Sequence, residues 1–264
     1  MDQFIRNTIE GFTASYKSCG EIGWKNPLIA YAAADDPLFV RLKEIVSPSH
    51  ALPQDFLPEA RTVITYFLPF IDKVVDSNKK GRHSSRTWAV AYIETNRLIG
   101  ALNRHLQGEL IKKGYKVVFA PATHNFDEET LLSDWSHRSV AYIAGLGTFG
   151  LNHMLITENG CCGRIGSLVT DLELPPTPRY SVELCLYRAD GSCGRCIKNC
   201  VNDALKENLL NKYKCYELCL ASADRLSDLE SIADVCGKCL VGVPCSTSAP
   251  NKDLTNEFDD PSAD

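Results

Sequence analysis

Nine of the twelve cysteines in this 264-residue chain fall between Cys185 and Cys245. They read Cys185, Cys193-x2-Cys196-x3-Cys200, Cys215, Cys219 and Cys236-x2-Cys239-x5-Cys245. So dense a run of thiols commits that part of the chain to disulfides or to metal rather than to a large apolar core. Disulfides would suit a small secreted protein. Here only Cys19, Cys161 and Cys162 precede the run, and the chain opens with no basic start followed by an apolar stretch. The expected compartment is the cytoplasm, where clustered thiols read as metal ligands.

Two Cys-x2-Cys pairs would make one zinc ribbon, which leaves five nearby cysteines unused. Two [4Fe-4S] clusters use eight of the nine. The glycines of "CGRC" and "CGKC" allow backbone amides close to cluster sulfides, and "NDAL" after Cys200 supplies the apolar segment that follows a ferredoxin run. In two-cluster ferredoxins the fourth cysteine of each run ligates the other cluster. That crossing sends Cys200 to Cys236 and Cys239, with Cys215, and sends Cys245 to Cys193 and Cys196. Cys185 completes the first set. Cys219 is its rival, or a buried free thiol. Zinc and a single cluster are the alternatives.

The rest of the chain has ordinary globular composition, 44% hydrophobic and 23% charged. Its net charge of −5 and lack of a basic run argue against a general nucleic-acid binder. No apolar stretch is long enough to span a bilayer. Ile5, Ile9, Phe12 and Tyr16 fall at helical spacing, and "RTVITYFLPF" reads as a buried strand. Residues 72–87 are polar and basic, which predicts a solvated loop. A long helix is expected from Trp88 to Leu110, ended by Gly114, with a strand at "YKVVFAPA". Strand, helix, strand implies an α/β layer with a crossover. Residues 126–143 are expected to be helical, and "HMLITENGCCGRIGSLVTDLEL" to form two strands round Asn159-Gly160. Composition changes after Pro175, Pro176 and Pro178. The expected units are therefore 1–178, 179–250 and a disordered acidic tail, 251–264.

"AGLGTFGLNHMLITENGCCGRIGSLVTDLELP", followed by a short spacer and the two cysteine runs, resembles the core of epoxyqueuosine reductase, and the same order occurs in reductive dehalogenases. "LPEARTVITYFLPF" resembles the first core strand of that family. The resemblance covers roughly residues 50–250 and places the chain in a short branch common in anaerobes. It implies an α+β fold, with a nitroreductase-like α/β domain of corrinoid-binding type before a ferredoxin-like two-cluster domain. It implies a reductase in which the clusters feed a base-off cobalamin, with FMN as the lesser candidate. It also implies an electron donor such as ferredoxin or flavodoxin, and a small-molecule or corrinoid substrate. The tRNA-modifying enzyme carries C-terminal helical repeats, whereas this chain ends soon after Cys245. Residues 179–250 hold nine Lys/Arg against nine Asp/Glu. A tRNA partner is therefore not expected.

"GLGTFG", residues 145–150, matches G-x-G-x-x-G, but a hairpin rather than a helix is expected after it, so the dinucleotide reading fails. Gly145, Gly147 and Gly150, with Asn152 and His137, are the expected cofactor-binding residues; a tight turn that only packs is the plainer reading. Asp134 matches the family's acidic proton donor, which a reduction at carbon needs. A helix cap is the plainer reading of Asp134. Arg138 and Tyr142 are the next catalytic candidates. His124 and His153 read as structural, and Cys161 and Cys162 as packing. Two other functions stay open: an electron-transfer protein that reduces a partner without a corrinoid of its own, and a flavin-bearing reductase.

Overall fold

A computed structural model of the chain describes residues 1–121, 126–207 and 209–251. His124 and residues 252–264 of the expected acidic tail lie outside the described residues. In chain order the elements are α1 (Asp2–Ser15), β1 (Leu28–Ala33), α2 (Pro37–Ile45), α3 (Pro53–Phe56), β2 (Thr62–Pro69), α4 (Asp72–Ser77), α5 (Arg86–Ile111), β3 (Val117–Val118), β4 (Phe126–Asp127), β5 (Leu132–Ser133), α6 (His137–Ile143), β6 (Thr148–Phe149), β7 (Leu155–Ile156) and β8 (Gly163–Thr170). The cysteine-rich part adds α7 (Leu186–Asp190), α8 (Arg195–Asn199), β9 (Leu205–Lys206), β10 (Leu209–Leu210) and α9 (Lys212–Arg225).

All eight residues of β2 are buried, because helices cover both faces of its sheet. Ile64, Tyr66 and Leu68 point into a core shared with Ile5 and Ile9 of α1 and Leu98, Leu102 and Leu106 of α5. Val63 and Phe67 point the other way, toward Phe39 of α2 and Val140 and Ile143 of α6. Alternation along a strand produces this division, and burial on both sides explains why the sequence reads as one apolar run. Each fully buried leucine contributes about 1.5–3 kcal/mol. Helix α5 starts where Ser85 accepts a hydrogen bond from the Trp88 amide. It ends where Gly114, at φ 89°, turns the chain so that the Tyr115 amide reaches the Leu110 carbonyl.

The sheet order is β1-β2-β8-β3, and every pairing is antiparallel. The expected crossover from β2 through α5 to β3 exists, but β8 lies between the two strands. β8 pairs along the whole of β2, whereas β3 contributes two residues. The longer strand offers more ladder bonds and takes the central place. The turn at Asn159-Gly160 closes a Thr157–Gly160 bridge. The strands on either side of it do not pair with each other, since β7 pairs with β6.

Two other expectations are corrected. Only 137–143 of the segment 126–143 is helical. Before it, Asp127 accepts hydrogen bonds from the amide and hydroxyl of Thr130, and Leu131 sits at φ 52°, which makes a β4–β5 hairpin instead. Residues 72–87 are not all loop, although 79–82 are exposed as expected. They open with α4, and the stretch after it is tied to the cysteine-rich part. Asn78 donates to the Cys236 carbonyl, Arg82 donates to the Val201 carbonyl and Asn202, and Lys238 donates to the carbonyls of Asn78 and Lys80. Of the basic residues, Arg82 reaches a backbone carbonyl of the facing loop, whereas Lys73, Lys79 and Arg86 pair with Glu21, Asp76 and Asp228. An apolar cluster continues across the same seam, from Phe70, Trp88 and Leu151 to Leu184, Leu205 and Val243.

Candidate functional site

The first cysteine group forms round two very short helices. Cys185 precedes α7, Cys196 lies within α8 and Cys200 follows α8. Cys185, Cys193, Cys196 and Cys245 line one cavity, together with Gly150, Asn152 and Ile156. Burial first, with Cys245, Cys185 and Cys193 nearby, raises the Cys196 thiol to about 11. Cys245 is pushed up chiefly by its hydrogen bond with Cys161. That contact follows from a short backbone pairing, in which the Cys161 amide bonds the Cys245 carbonyl and the Cys162 amide bonds the Ser246 carbonyl.

The second group gathers Cys200, Cys215, Cys236 and Cys239. Burial drives the Cys239 thiol well up, and Cys215, Cys236 and Cys200 add to that. Cys236 rises to about 11, again from burial first, with Cys215 and Cys200 beside it. Cys219 lies one turn along α9 from Cys215 and shares a hydrogen bond with it, which lowers Cys215 to about 7 and raises Cys219. Cys219 therefore lies beside the second group, and Cys185 beside the first. Asn199 joins the two runs by donating to the Val241 carbonyl. Among the described residues no group of three or more His, Cys, Asp or Glu side chains is gathered tightly enough to hold a single metal ion.

The candidates for substrate chemistry are spread along one edge. Asp134 is exposed, and the Ser49 hydroxyl donates to its carboxylate. Ser49 belongs to the loop that also carries His50, a fully buried ring held by the Ala51 carbonyl and the Ser136 amide. Burial keeps the His50 pKa below the usual imidazole range. Neither Ser49 nor His50 was among the sequence candidates, because nothing in "SPSH" sets it apart from an ordinary loop. Arg138 is exposed, donates to the His153 carbonyl and lies close enough to Cys215 to feel its charge. Tyr142, 38% exposed, rests its ring against Phe149. No hydrogen bond or ion pair joins Asp134, Arg138 and Tyr142 among the described residues.

Most of the residues expected to cradle a cofactor are engaged by the chain itself, although Gly150 and Asn152 also line the cavity of the first cysteine group. His137 is buried, accepts from the Ser167 hydroxyl through Nδ1 and donates to the Pro121 carbonyl through Nε2. Burial lowers its pKa to about 4. A Cβ on Gly147 would stand 2.0 Å from the Ile156 carbonyl oxygen, and one on Gly145, at φ 82°, would stand 2.6 Å from that of Pro178. A Cβ on Gly150 would meet the Asn152 side chain at 2.6 Å. Asn152 accepts from the Met154 amide and turns its amide group toward the Cys161 sulfur. The structure thus supplies an internal reason for these glycines, namely the close approach of other backbone. A separate cavity of about 560 Å³ is lined by Asp35, Gln54, Glu59, Arg61 and Glu173. It opens at the Ala33–Thr62–Thr170 end of the sheet, opposite the Pro69–Gly163 end that adjoins the cysteines.

No protein-family model matches the chain, and no curated protein matches it. Solved structures do. An epoxyqueuosine reductase with an epoxyqueuosine-modified tRNA stem loop aligns with a TM-score of 0.61 at 16% identity, over 96% of this chain and 70% of that one. The Bacillus subtilis epoxyqueuosine reductase, solved with its catalytic loop swung out of the active site, aligns with a TM-score of 0.60 at 17% identity, over 96% and 70%. The catabolic reductive dehalogenase NpRdhA aligns with a TM-score of 0.55 at 11% identity, over 94% of this chain but 37% of that one. The helices described here include none long and apolar enough to cross a membrane. The chain has the fold that epoxyqueuosine reductases share with a reductive dehalogenase.

Proposed function

We propose that this chain is an iron–sulfur oxidoreductase that reduces an organic substrate. One [4Fe-4S] cluster belongs to Cys185, Cys193, Cys196 and Cys245, and the other to Cys200, Cys215, Cys236 and Cys239. The observation that carries this reading is the crossing of the two runs. Cys245 shares a cavity with Cys185, Cys193 and Cys196, and Cys200 lies near Cys236 and Cys239, which supports the crossing that a two-cluster ferredoxin makes. Eight soft thiolate donors in two sets of four suit iron–sulfur clusters, which when bound supply one-electron transfer.

The chain's own residues do the rest. The Ser49 hydroxyl holds the Asp134 carboxylate at the surface, where Asp134 delivers a proton to the reduced substrate. Arg138, exposed beside the second group, receives an anionic part of the substrate or of a partner. Tyr142 lies exposed near the end of α6. His137 serves as a support behind this edge. His137, Gly145 and Gly147 are engaged by other parts of the chain, while Gly150 and Asn152 line the cavity of the first cysteine group, and no step is routed through cobalamin.

Anaerobic purification with iron and sulfide analysis, followed by titration with cobalamin and with FMN, tests the reading. About eight irons per chain is the expected result; about one zinc and no iron overturns it. Uptake of either titrant identifies the acceptor of the electrons. Uptake of neither favours an electron-transfer protein served by ferredoxin or flavodoxin that reduces a partner. One protein of this fold has been solved with a tRNA stem loop. Binding of such a stem loop at physiological salt would name tRNA as the substrate here, against the even charge balance of residues 179–250.

A further inference from the structure

The three tryptophans differ in one respect. The Trp24 indole donates to the Thr95 hydroxyl at 2.9 Å, and the Trp135 indole donates to the Ser167 hydroxyl at 3.0 Å. The Trp88 indole is as buried as Trp135, at 3% exposure, yet its Nε1 has no hydrogen-bond partner among the described residues. An indole N–H can only donate, and a buried donor left unmet is rare.

The position of this N–H is specific. Gly237, the second residue of "CGKC", lies flat on the indole edge. A Cβ there would stand 2.5 Å from Cε2 and 2.7 Å from Nε1 of Trp88. Gly237 takes φ 70° and separates Cys236 from Lys238 and Cys239. The indole is also fixed from behind. Ser85 caps the Trp88 amide, Phe70 meets the ring edge-on at 5.2 Å, and Asn78 accepts from the Ser85 amide while donating to the Cys236 carbonyl. One asparagine thus sets the start of α5 and the "CGKC" loop in register.

We propose that the Trp88 indole N–H donates a hydrogen bond to a sulfur of the cluster held by Cys200, Cys215, Cys236 and Cys239, and that it raises that cluster's reduction potential. This rests on the two-cluster reading above. Hydrogen bonds to cluster sulfurs are among the main controls of potential. Reduction adds negative charge to the cluster, so a donor favours the reduced state.

The test uses the full chain purified anaerobically. Potentials of both clusters are measured by spectroscopically monitored redox titration in the parent and in Trp88→Phe. The expected result is a shift of one cluster to a more negative potential, with the other unchanged and the iron content near that of the parent. Iron retained with both potentials unchanged overturns the proposal. The second measurement labels all tryptophans with 15N in the parent protein and records nuclear–electron couplings of the reduced clusters. An indole nitrogen coupled to one cluster is expected, and it should persist in Trp24→Phe and Trp135→Phe. No coupling overturns the proposal even if Trp88→Phe fails to fold. Iron well below eight per chain in the parent sinks the two-cluster reading itself, a separate outcome.

Discussion

The sheet region and the cysteine-rich region of this chain are held together in different ways. β2 is buried from end to end, and α5 lays Leu98, Leu102, Leu106 and Leu110 against it, all with no exposed surface. The cysteine-rich part has α7 and α8 of five residues each. Helices that short do not persist on their own. They are held by the apolar cluster that crosses the seam and by hydrogen bonds with Asn78, Arg82 and Lys238. One region owes its shape to a large apolar core of its own, and the other to a smaller cluster and to bonds shared with its neighbour.

On the proposed two-cluster reading, the sharpest way to break the comparison is to remove the iron. Oxidation with a chelator is expected to strip amide protection from residues 179–251 while β2 and α5 keep theirs, as hydrogen exchange will show. Uniform loss of protection would mean that the two regions form one cooperative unit. Next in size, Leu102→Ala empties a fully buried site and should cost about 2–5 kcal/mol in denaturant unfolding. Its effect should be the same with and without iron.

A third test uses pH. Burial keeps His137 neutral, with its pKa lowered to about 4, and His50 shifts in the same direction. The unfolded chain binds a proton near pH 6.5 that the folded chain refuses until about 4. Stability of the sheet region should therefore be full above 6.5, fall as pH drops from 6.5 to 4, and level off below that. The loss from His137 is up to roughly 3 kcal/mol. His137→Gln should flatten most of that slope. The smallest expected effect is at the seam. Asn78→Ala removes bonds to the Cys236 carbonyl and the Ser85 amide and should cost about 1–3 kcal/mol. It should also loosen the second thiol group more than the first, read as faster iron loss from one cluster.

Much of this was legible in the sequence where a local pattern decides the outcome. The helix expected from Trp88 to Leu110 is Arg86–Ile111, because one leucine stripe and two caps define it. β2 was legible because burial on both faces leaves an unbroken apolar run. What was not legible depends on distant partners. β8 enters the sheet between β2 and β3, and nothing within 163–170 names its neighbours. Residues 72–87 look solvated because Lys79, Lys80 and Arg82 are charged. The carbonyls of Val201 and the backbone round Cys236 that engage this stretch lie far along the chain. The glycines of "GLGTFG" were read as making room for a cofactor or as a tight turn that packs; Gly145 and Gly147 face the Pro178 and Ile156 carbonyls, and Gly150 also lines the cavity of the first cysteine group. A glycine pattern shows that something comes close, without showing whether it is ligand or backbone.

The crossed grouping of the cysteines has a consequence in time as well as in space. Cys245 stands with Cys185, Cys193 and Cys196, and Cys200 stands with Cys236 and Cys239. A chain made from its N-terminus has the sheet's residues available long before either thiol set is complete. The first set must wait for Cys245, and the second for Cys239. Throughout that interval the early thiols have no finished site to enter, and they are open to oxidation or to the wrong partner. Each thiol group is therefore completed only after the sheet's residues have been made, on a scaffold that has already had the chance to fold.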